Sequence, residues 1–145
     1  MHLKMEDSGC IHNHSILTYY RRMDLHIHRM VWTPSGWPTI SPERYVNVPQ
    51  DTISSAKLVG KWEHIDLIKP AYVNQSAEIE FASNGSIIGI DKATWSFGSN
   101  ILTITIKSVV YEVRVFTEWD WENKKITLAY SGMNSKGYCI WGKKI

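Results

Sequence analysis

The chain has 145 residues, 43% of them hydrophobic and 21% charged, with a formal net charge of +2. That is room for about one core, and the basic residues are too scattered to form a stripe that neutralises phosphates. No apolar run nears the roughly 18 residues that cross a bilayer as a helix, so neither nucleic acid nor a membrane is an expected partner.

The first residues, Met1 to Cys10, carry one lysine and no apolar stretch, which is not a secretory signal. Cys10 and Cys139 lie near opposite ends of the chain and read as two unrelated thiols, with Cys139 between Tyr138 and Ile140 as core filler. His12 and His14, and again His26 and His28, are spaced two apart. Such pairs face one side of a strand, but a metal site needs a third or fourth ligand and none is placed, so no metal and no cofactor is expected.

Within residues 1–50 one strand is predicted, Leu25 to Trp32, with Leu25, Ile27, Arg29 and Val31 on one face. Pro34, Gly36, Pro38 and Pro42 follow and preclude a helix. An irregular arm of this kind buries little by itself and needs a surface to lie on. The segment Val48 to Ser55 is polar and aperiodic and reads as a linker, dividing the chain into an arm, 1–50, and a second part, 51–145.

The second part is a series of short β runs: Lys57 to Ile68, Ala77 to Ser83, Ser86 to Ile90, Ala93 to Phe97, Ile101 to Lys107, Val109 to Glu118, Lys125 to Gly132 and Gly137 to Lys143. Asn84-Gly85 is a strong hairpin signal because both positions accept positive φ. Eight strands, each within hairpin reach of the next, predict an all-β fold: an up-and-down antiparallel barrel, whose closure removes exposed edges, or a closely related sandwich. Lys143 and Lys144 are expected to keep the last strand soluble. Trp62 and Trp141 are expected in the core. Glu118, Asp120 and Glu122 alternate with Trp119 and Trp121. The acids are expected to be exposed near a hairpin tip, where nothing apolar raises a pKa for acid–base work. Trp95, Trp119, Trp121 and Trp141 are candidates for stacking on sugar rings, Trp141 reading better as core and Trp119 and Trp121 equally well as core or exposed platform. No Ser-His-Asp or Cys-His arrangement and no Gly-rich phosphate loop is suggested.

Two stretches carry a resemblance. Residues 26–45, with Trp32-Thr33, Gly36-Trp37-Pro38 and Ser41-Pro42-Glu43-Arg44-Tyr45, resemble the junction between catalytic propeller and C-terminal domain in endo-arabinanases of glycoside hydrolase family 43. Val59-Gly60-Lys61-Trp62-Glu63 is similar to the G-x-W opening of lipocalin-like barrels, including the one in that family. The resemblance covers about residues 24–145, while residues 1–23 match poorly. It implies a lipocalin-like barrel and, upstream in the full enzyme, a five-bladed propeller bearing the inverting carboxylates. Nothing here matches those carboxylates, so no catalytic residue is carried over and the chain is not expected to be an enzyme alone. The propeller calcium of the family is held through a histidine, and neither His12 nor His14 aligns with it. The family is exported, an address this chain does not show.

The implied role is a non-catalytic accessory domain that supports the propeller, with Trp32, Trp37, Glu43, Arg44 and Tyr45 at the docking interface. The rival readings are an independent carbohydrate-binding module taking arabinan or another polysaccharide, and a lipocalin-like binder of a small ligand. An exposed aromatic platform favours the first rival and a hollow interior the second.

Overall fold

A computed structural model describes residues 2–7, 21–67 and 74–145, with side chains from Leu25 onward. His12, His14 and Cys10 lie outside the described residues, as does Ile68 at the end of the first predicted barrel run. Cys139 is a free thiol, half-buried rather than in the core.

The barrel strands are β5 (Gly60–Leu67), β6 (Ala77–Phe81), β7 (Ile87–Ile88), β8 (Ala93–Gly98), β9 (Ile101–Ile106), β10 (Val109–Asp120), β11 (Lys125–Asn134) and β12 (Cys139–Lys144). Before them come β1 (His2–Asp7), β2 (Arg21–His26), β3 (His28–Trp32), β4 (Pro38–Arg44) and a single turn of helix, α1 (Ser55–Leu58). The sheet order is β7-β6-β5-β12-β11-β10-β9-β8, with every pair antiparallel. The first and last barrel strands are therefore zipped together, from Leu67 opposite Cys139 to Trp62 opposite Lys144. The remaining seam is between β7 and β8, where Ser86 bridges Thr94. Trp95 fastens that seam twice: its backbone N–H donates to Gly85 O at 2.7 Å and its indole N–H to Ala82 O at 2.9 Å. Gly85 has φ +86°, the conformation that its place in the Asn84-Gly85 turn demands.

Alternation puts one residue of each pair inside. Trp62, Ile79, Phe81, Trp95, Leu102, Ile104, Val113, Tyr130 and Ile140 are buried there. The aromatic rings lie against one another: Trp62 is 5.3 Å from both Phe81 and Tyr130, and Phe81 is 5.3 Å from Trp95. Gly142 leaves room for this filling, because a Cβ there would lie 2.1 Å from the Tyr130 ring. α1 closes one end with the fully buried Leu58, whose carbonyl takes the Trp62 indole N–H at 2.8 Å. The interior is thus occupied by side chains, which argues against the small-ligand reading.

One polar chain penetrates it. His64 and Asp66, two apart on β5, share the inner face, and His64 Nδ1 lies 2.6 Å from the Tyr130 hydroxyl. Burial pushes the Tyr130 phenol well above its usual pKa, so it stays protonated. On the other side of the ring, His64 Nε2 faces Asp66 Oδ1 at 3.3 Å. This contact with His64 holds the Asp66 carboxyl below its ordinary range.

The arm and the start of the barrel depart from expectation in three ways. The predicted run Leu25–Trp32 is broken at Ile27, and the β3–β4 register shifts between His28 and Met30. Leu25 and Ile27 therefore point to solvent, whereas Arg29 is turned toward the barrel, so the four residues do not share a face. The arm also holds more than one strand: β1 pairs with β2, and β4 pairs with β3 despite Pro38 and Pro42. Proline excludes helix but not the first position or free edge of a strand. Lys57, taken as the start of the first barrel strand, belongs instead to α1.

Candidate functional site

The β3–β4 hairpin turns through Thr33-Pro34-Ser35-Gly36-Trp37. Thr33 N donates to Trp37 O at 2.9 Å, Trp37 N donates to Thr33 Oγ1 at 3.1 Å, and Gly36 takes φ +84°. A turn held by its own backbone and one threonine hydroxyl leaves the two flanking indoles free. The hairpin lies across the outside of β10, β11 and β12, and its two faces are chemically opposite.

The face against the barrel is polar and charged. Arg29 Nε donates to Glu118 Oε1 at 2.7 Å, and Thr39 Oγ1 makes a short hydrogen bond with Ser131 Oγ. Arg114 Nε donates to Trp32 O at 3.0 Å. Farther along, the Gln50 side chain both donates to Thr117 O at 2.8 Å and accepts from Thr117 N at 3.0 Å, closing the seam as an added strand residue would. Lys143 is the centre of the far end: its ammonium lies 2.8 Å from Glu122, 3.1 Å from Glu43 and 3.3 Å from Asp120.

Burial raises the Glu118 carboxyl, opposed by hydrogen bonding and charge from Arg29. Asp120 is also penalised by burial, yet hydrogen bonds from Asn123 and Lys143 hold it below the ordinary value. Lys143 loses solvation too, but Glu122, Glu43 and Asp120 raise it above a usual lysine, so it stays charged.

Glu118 and Asp120 are therefore wholly buried, not exposed as their place near a hairpin tip predicted. The arm covers them, and each is spoken for by a cation. Lys143, expected to be a solubilising terminal residue, is nearly buried, because β12 alternation turns it toward Glu43 on β4 and Glu63 on β5. Lys144 is likewise engaged, donating to Val59 O at 2.8 Å. The chemistry of this seam is that of a clamp: Glu118 is paired with Arg29, while Asp120, Glu43 and Glu122 share the Lys143 ammonium. The sequence signal for it was the outward pair Glu63 and Lys143 on neighbouring strands, legible only once the strand pairing is known.

The face away from the barrel is apolar. Met30 (56% exposed) and Trp32 (55%) project from it, opposite Ile40 and Pro38, while Trp37 (64%) at the hairpin's tip and Leu25 and Ile27 before it are exposed as well. Of the other expected docking residues, Tyr45 is partly exposed with the Arg29 guanidinium 5.4 Å from its ring. Glu43 points the opposite way, into the Lys143 cluster. Arg44 lies over the Trp121 ring at 4.7 Å, while the Trp121 indole N–H donates to Arg44 O at 3.1 Å. The structure thus leaves Trp32 and Trp37 exposed and turns Glu43 and Arg44 against the barrel. Of the candidate sugar platforms, Trp119 is half-buried and Trp121 has one face covered by Arg44. Trp141 is not in the core: Ile140 takes the interior position, so Trp141 faces outward, half-buried.

His26 and His28 stack with ring centroids 6.3 Å apart, and His28 Nδ1 lies 3.0 Å from Ser41 O. Among the described residues no group of three or more His, Cys, Asp or Glu side chains is arranged to hold a metal.

Residues 42–142 match the family model of the glycoside hydrolase family 43 C-terminal domain, a C-terminal lipocalin-like domain. The chain belongs to that family. The extracellular endo-α-(1→5)-L-arabinanase 2 of Bacillus subtilis strain 168 is 26% identical to this family 43 C-terminal domain over 124 residues, covering 83% of this chain and 26% of that protein. Among solved structures, the glycoside hydrolase family 43 YxiA protein of Bacillus licheniformis superposes with a TM-score of 0.77 at 22% identity, covering 88% of this chain and 31% of that one. The endo-1,5-α-L-arabinanase of Thermotoga petrophila RKU-1 gives 0.74 at 22% identity, covering 89% and 30%. These structural likenesses establish the shared fold. The chain spans about a quarter of the curated relative and under a third of the solved ones. What it matches is the C-terminal accessory part of a glycoside hydrolase.

Proposed function

We propose that this family 43 C-terminal domain is a non-catalytic support for the catalytic propeller of an arabinan-degrading glycoside hydrolase, docking through the outward face of its arm. The observation that carries this reading is the division of the β3–β4 hairpin. Its inner face is tied to the barrel by Arg29–Glu118, Thr39–Ser131 and Glu43–Lys143, so the arm is held in place. Met30 and Trp32 project from its outer face, and Trp37 at its tip and Leu25 and Ile27 just before it are also exposed, a concentration of large apolar side chains in keeping with a protein contact. Tyr45 sits at the edge of that contact. Glu43 and Arg44 act from behind, fixing the hairpin rather than touching the partner.

The test is a chimera in which residues 24–145 replace the matching C-terminal part of the B. subtilis relative. The chimera is expected to fold cooperatively and hydrolyse linear arabinan. The double substitution Trp32→Ser with Trp37→Ser is expected to lower the chimera's melting temperature while leaving that of the isolated chain unchanged. Equal melting temperatures for chimera and double variant would overturn the docking reading. Hydrolysis of arabinan by the isolated chain would overturn the non-catalytic one.

A further inference from the structure

Beside the arm, on the outer face of β5 and β12, lies a cleft of about 270 Å³ that the docking reading does not use. Its floor is Trp141 and its register partner Ile65, with Pro42 of β4 as one wall. Its rim is Glu43, Glu63 and Glu122 around the Lys143 ammonium.

Three features decide what such a cleft takes. The Trp62, Trp95 and Trp121 indole N–H groups all donate to backbone carbonyls, whereas that of Trp141 has no acceptor among the described residues. A half-buried indole with an unused donor offers both a flat face and a hydrogen bond. Second, the rim has acceptor capacity to spare. Glu122 is 76% exposed and Glu63 43%, and Glu63 stands 3.9 Å from Lys143, too long for a hydrogen bond. Third, the place for a cation is already filled. Glu43, Glu122 and Asp120 close on Lys143 itself at 3.3 Å or less, so a metal or basic side chain would have to displace the protein's own ammonium.

A purely apolar ligand would strip water from the rim carboxylates and give nothing back. What remains is a neutral ring with an apolar face and vicinal hydroxyls. The face stacks on an indole, the hydroxyls donate to carboxylates, and no charge is added to the Lys143 cluster. We propose that this cleft is a carbohydrate subsite, holding one residue of a neutral oligosaccharide on Trp141, with Glu63 and Glu122 accepting from its hydroxyls. The volume lies below the range of roughly 300–1,000 Å³ for drug-sized ligands, which suits one sugar residue of a longer chain crossing the surface.

The experiment is a titration of the intact chain with linear α-1,5-arabino-oligosaccharides, following the indole N–H resonances by NMR. The Trp141 signal is expected to shift saturably, and raising the salt from about 0.05 to about 0.5 M to leave the affinity unchanged, because nothing charged is exchanged. Trp141→Ala is expected to weaken binding about ten-fold or more and Glu63→Ala several-fold. Glu63 is a surface residue, so its variant keeps the fold and the proposal testable. Trp121→Ala, and Trp32→Ser with Trp37→Ser, are expected to bind as the parent does, which separates this site from the docking face. No saturable shift at Trp141, or affinity lost with Trp121→Ala and kept in Trp141→Ala, would overturn the subsite. Affinity that collapses with salt would point instead to a cationic ligand and overturn it equally.

Discussion

The inside of the barrel and the seam beneath the arm are both buried, yet they are made of opposite materials. The interior is five large rings, Trp62, Phe81, Trp95, Tyr111 and Tyr130, and a set of aliphatic side chains, with His64 and Asp66 as its polar insertion. The seam is built of Arg29, Glu118, Asp120, Ser131 and Lys143, with little apolar area among them. Apolar burial is non-directional and stabilises whatever excludes water. Charged pairs are satisfied in one geometry and are costly in others. The barrel therefore supplies stability, and the seam supplies a defined placement of the arm, which an accessory domain needs if it is to present Trp32 and Trp37 in a fixed orientation.

The comparison breaks most visibly in the interior. Trp62 is fully buried and touches Phe81 and Tyr130. Trp62→Ala removes the centre of the ring cluster and the hydrogen bond to α1, and is expected to cost about 3–5 kcal/mol in a urea titration. The loss should be seen equally by near-ultraviolet and far-ultraviolet signals, because barrel and packing fail together. A small loss would mean that the interior re-collapses and is less tightly filled than its ring contacts indicate.

Lys143→Met tests the seam. It leaves Asp120 and Glu43 buried beside each other without their cation. Breaking a fully buried pair costs about 3–5 kcal/mol, and Glu122 is exposed and screened, so about 2–3 kcal/mol is expected here. The informative readout is where the loss falls: limited proteolysis should cut within the arm before the barrel unfolds. Simultaneous cleavage of both would show that arm and barrel are one cooperative unit.

The two regions were unequally legible in the sequence. The eight barrel strands and the Asn84-Gly85 turn follow from alternation and turn chemistry, both local properties. So does the interior position of Trp62. The seam was not legible, because it joins residues 89 apart, Arg29 and Glu118, and 92 apart, Thr39 and Ser131. Read locally, Glu118 and Asp120 are acids near a hairpin tip; only the arm laid over them makes them buried. Trp141 was misjudged for a related reason: an indole between apolar neighbours reads as core, and strand phase, set by Ile140 and Gly142, decides otherwise.

Acid separates the seam's two carboxylates. Asp120 has a folded pKa below the ordinary 3.8, so its stabilisation is complete above 3.8 and is lost as the pH falls through the folded value. Glu118 has a folded pKa above the ordinary 4.5, so its protonation favours the folded state: the contribution is complete below 4.5 and is lost as the pH rises through the folded value. Stability measured from pH 7 downward should gain a little from Glu118 before Asp120 takes it away. Asp120→Asn is expected to flatten the lower part of that curve. Glu118→Gln is expected to flatten the upper part, at the expense of an unpaired Arg29. The changes should be smaller than that from Lys143→Met, since each carboxylate keeps other hydrogen bonds. A curve that falls monotonically from pH 7 would show that Arg29 fully offsets the burial of Glu118.

The smallest expected effect is at the outer rim of the seam, where Arg44 lies over Trp121. Both are exposed, so the cation–π contact contributes about 0.5–1 kcal/mol, and the hydrogen bond to Arg44 O about as much again. Trp121→Leu keeps apolar area but loses both interactions, and is expected to lower stability by about 1 kcal/mol or slightly more, within the error of many titrations. Hydrogen exchange at β4 resolves it, because fraying of the arm's last residues costs less than global unfolding. Faster exchange confined to Pro38–Arg44, with the barrel strands unchanged, is the expected result. Faster exchange throughout β10 and β11 would mean that the arm also stabilises the barrel, and that the division between the two regions is less sharp than their chemistry suggests.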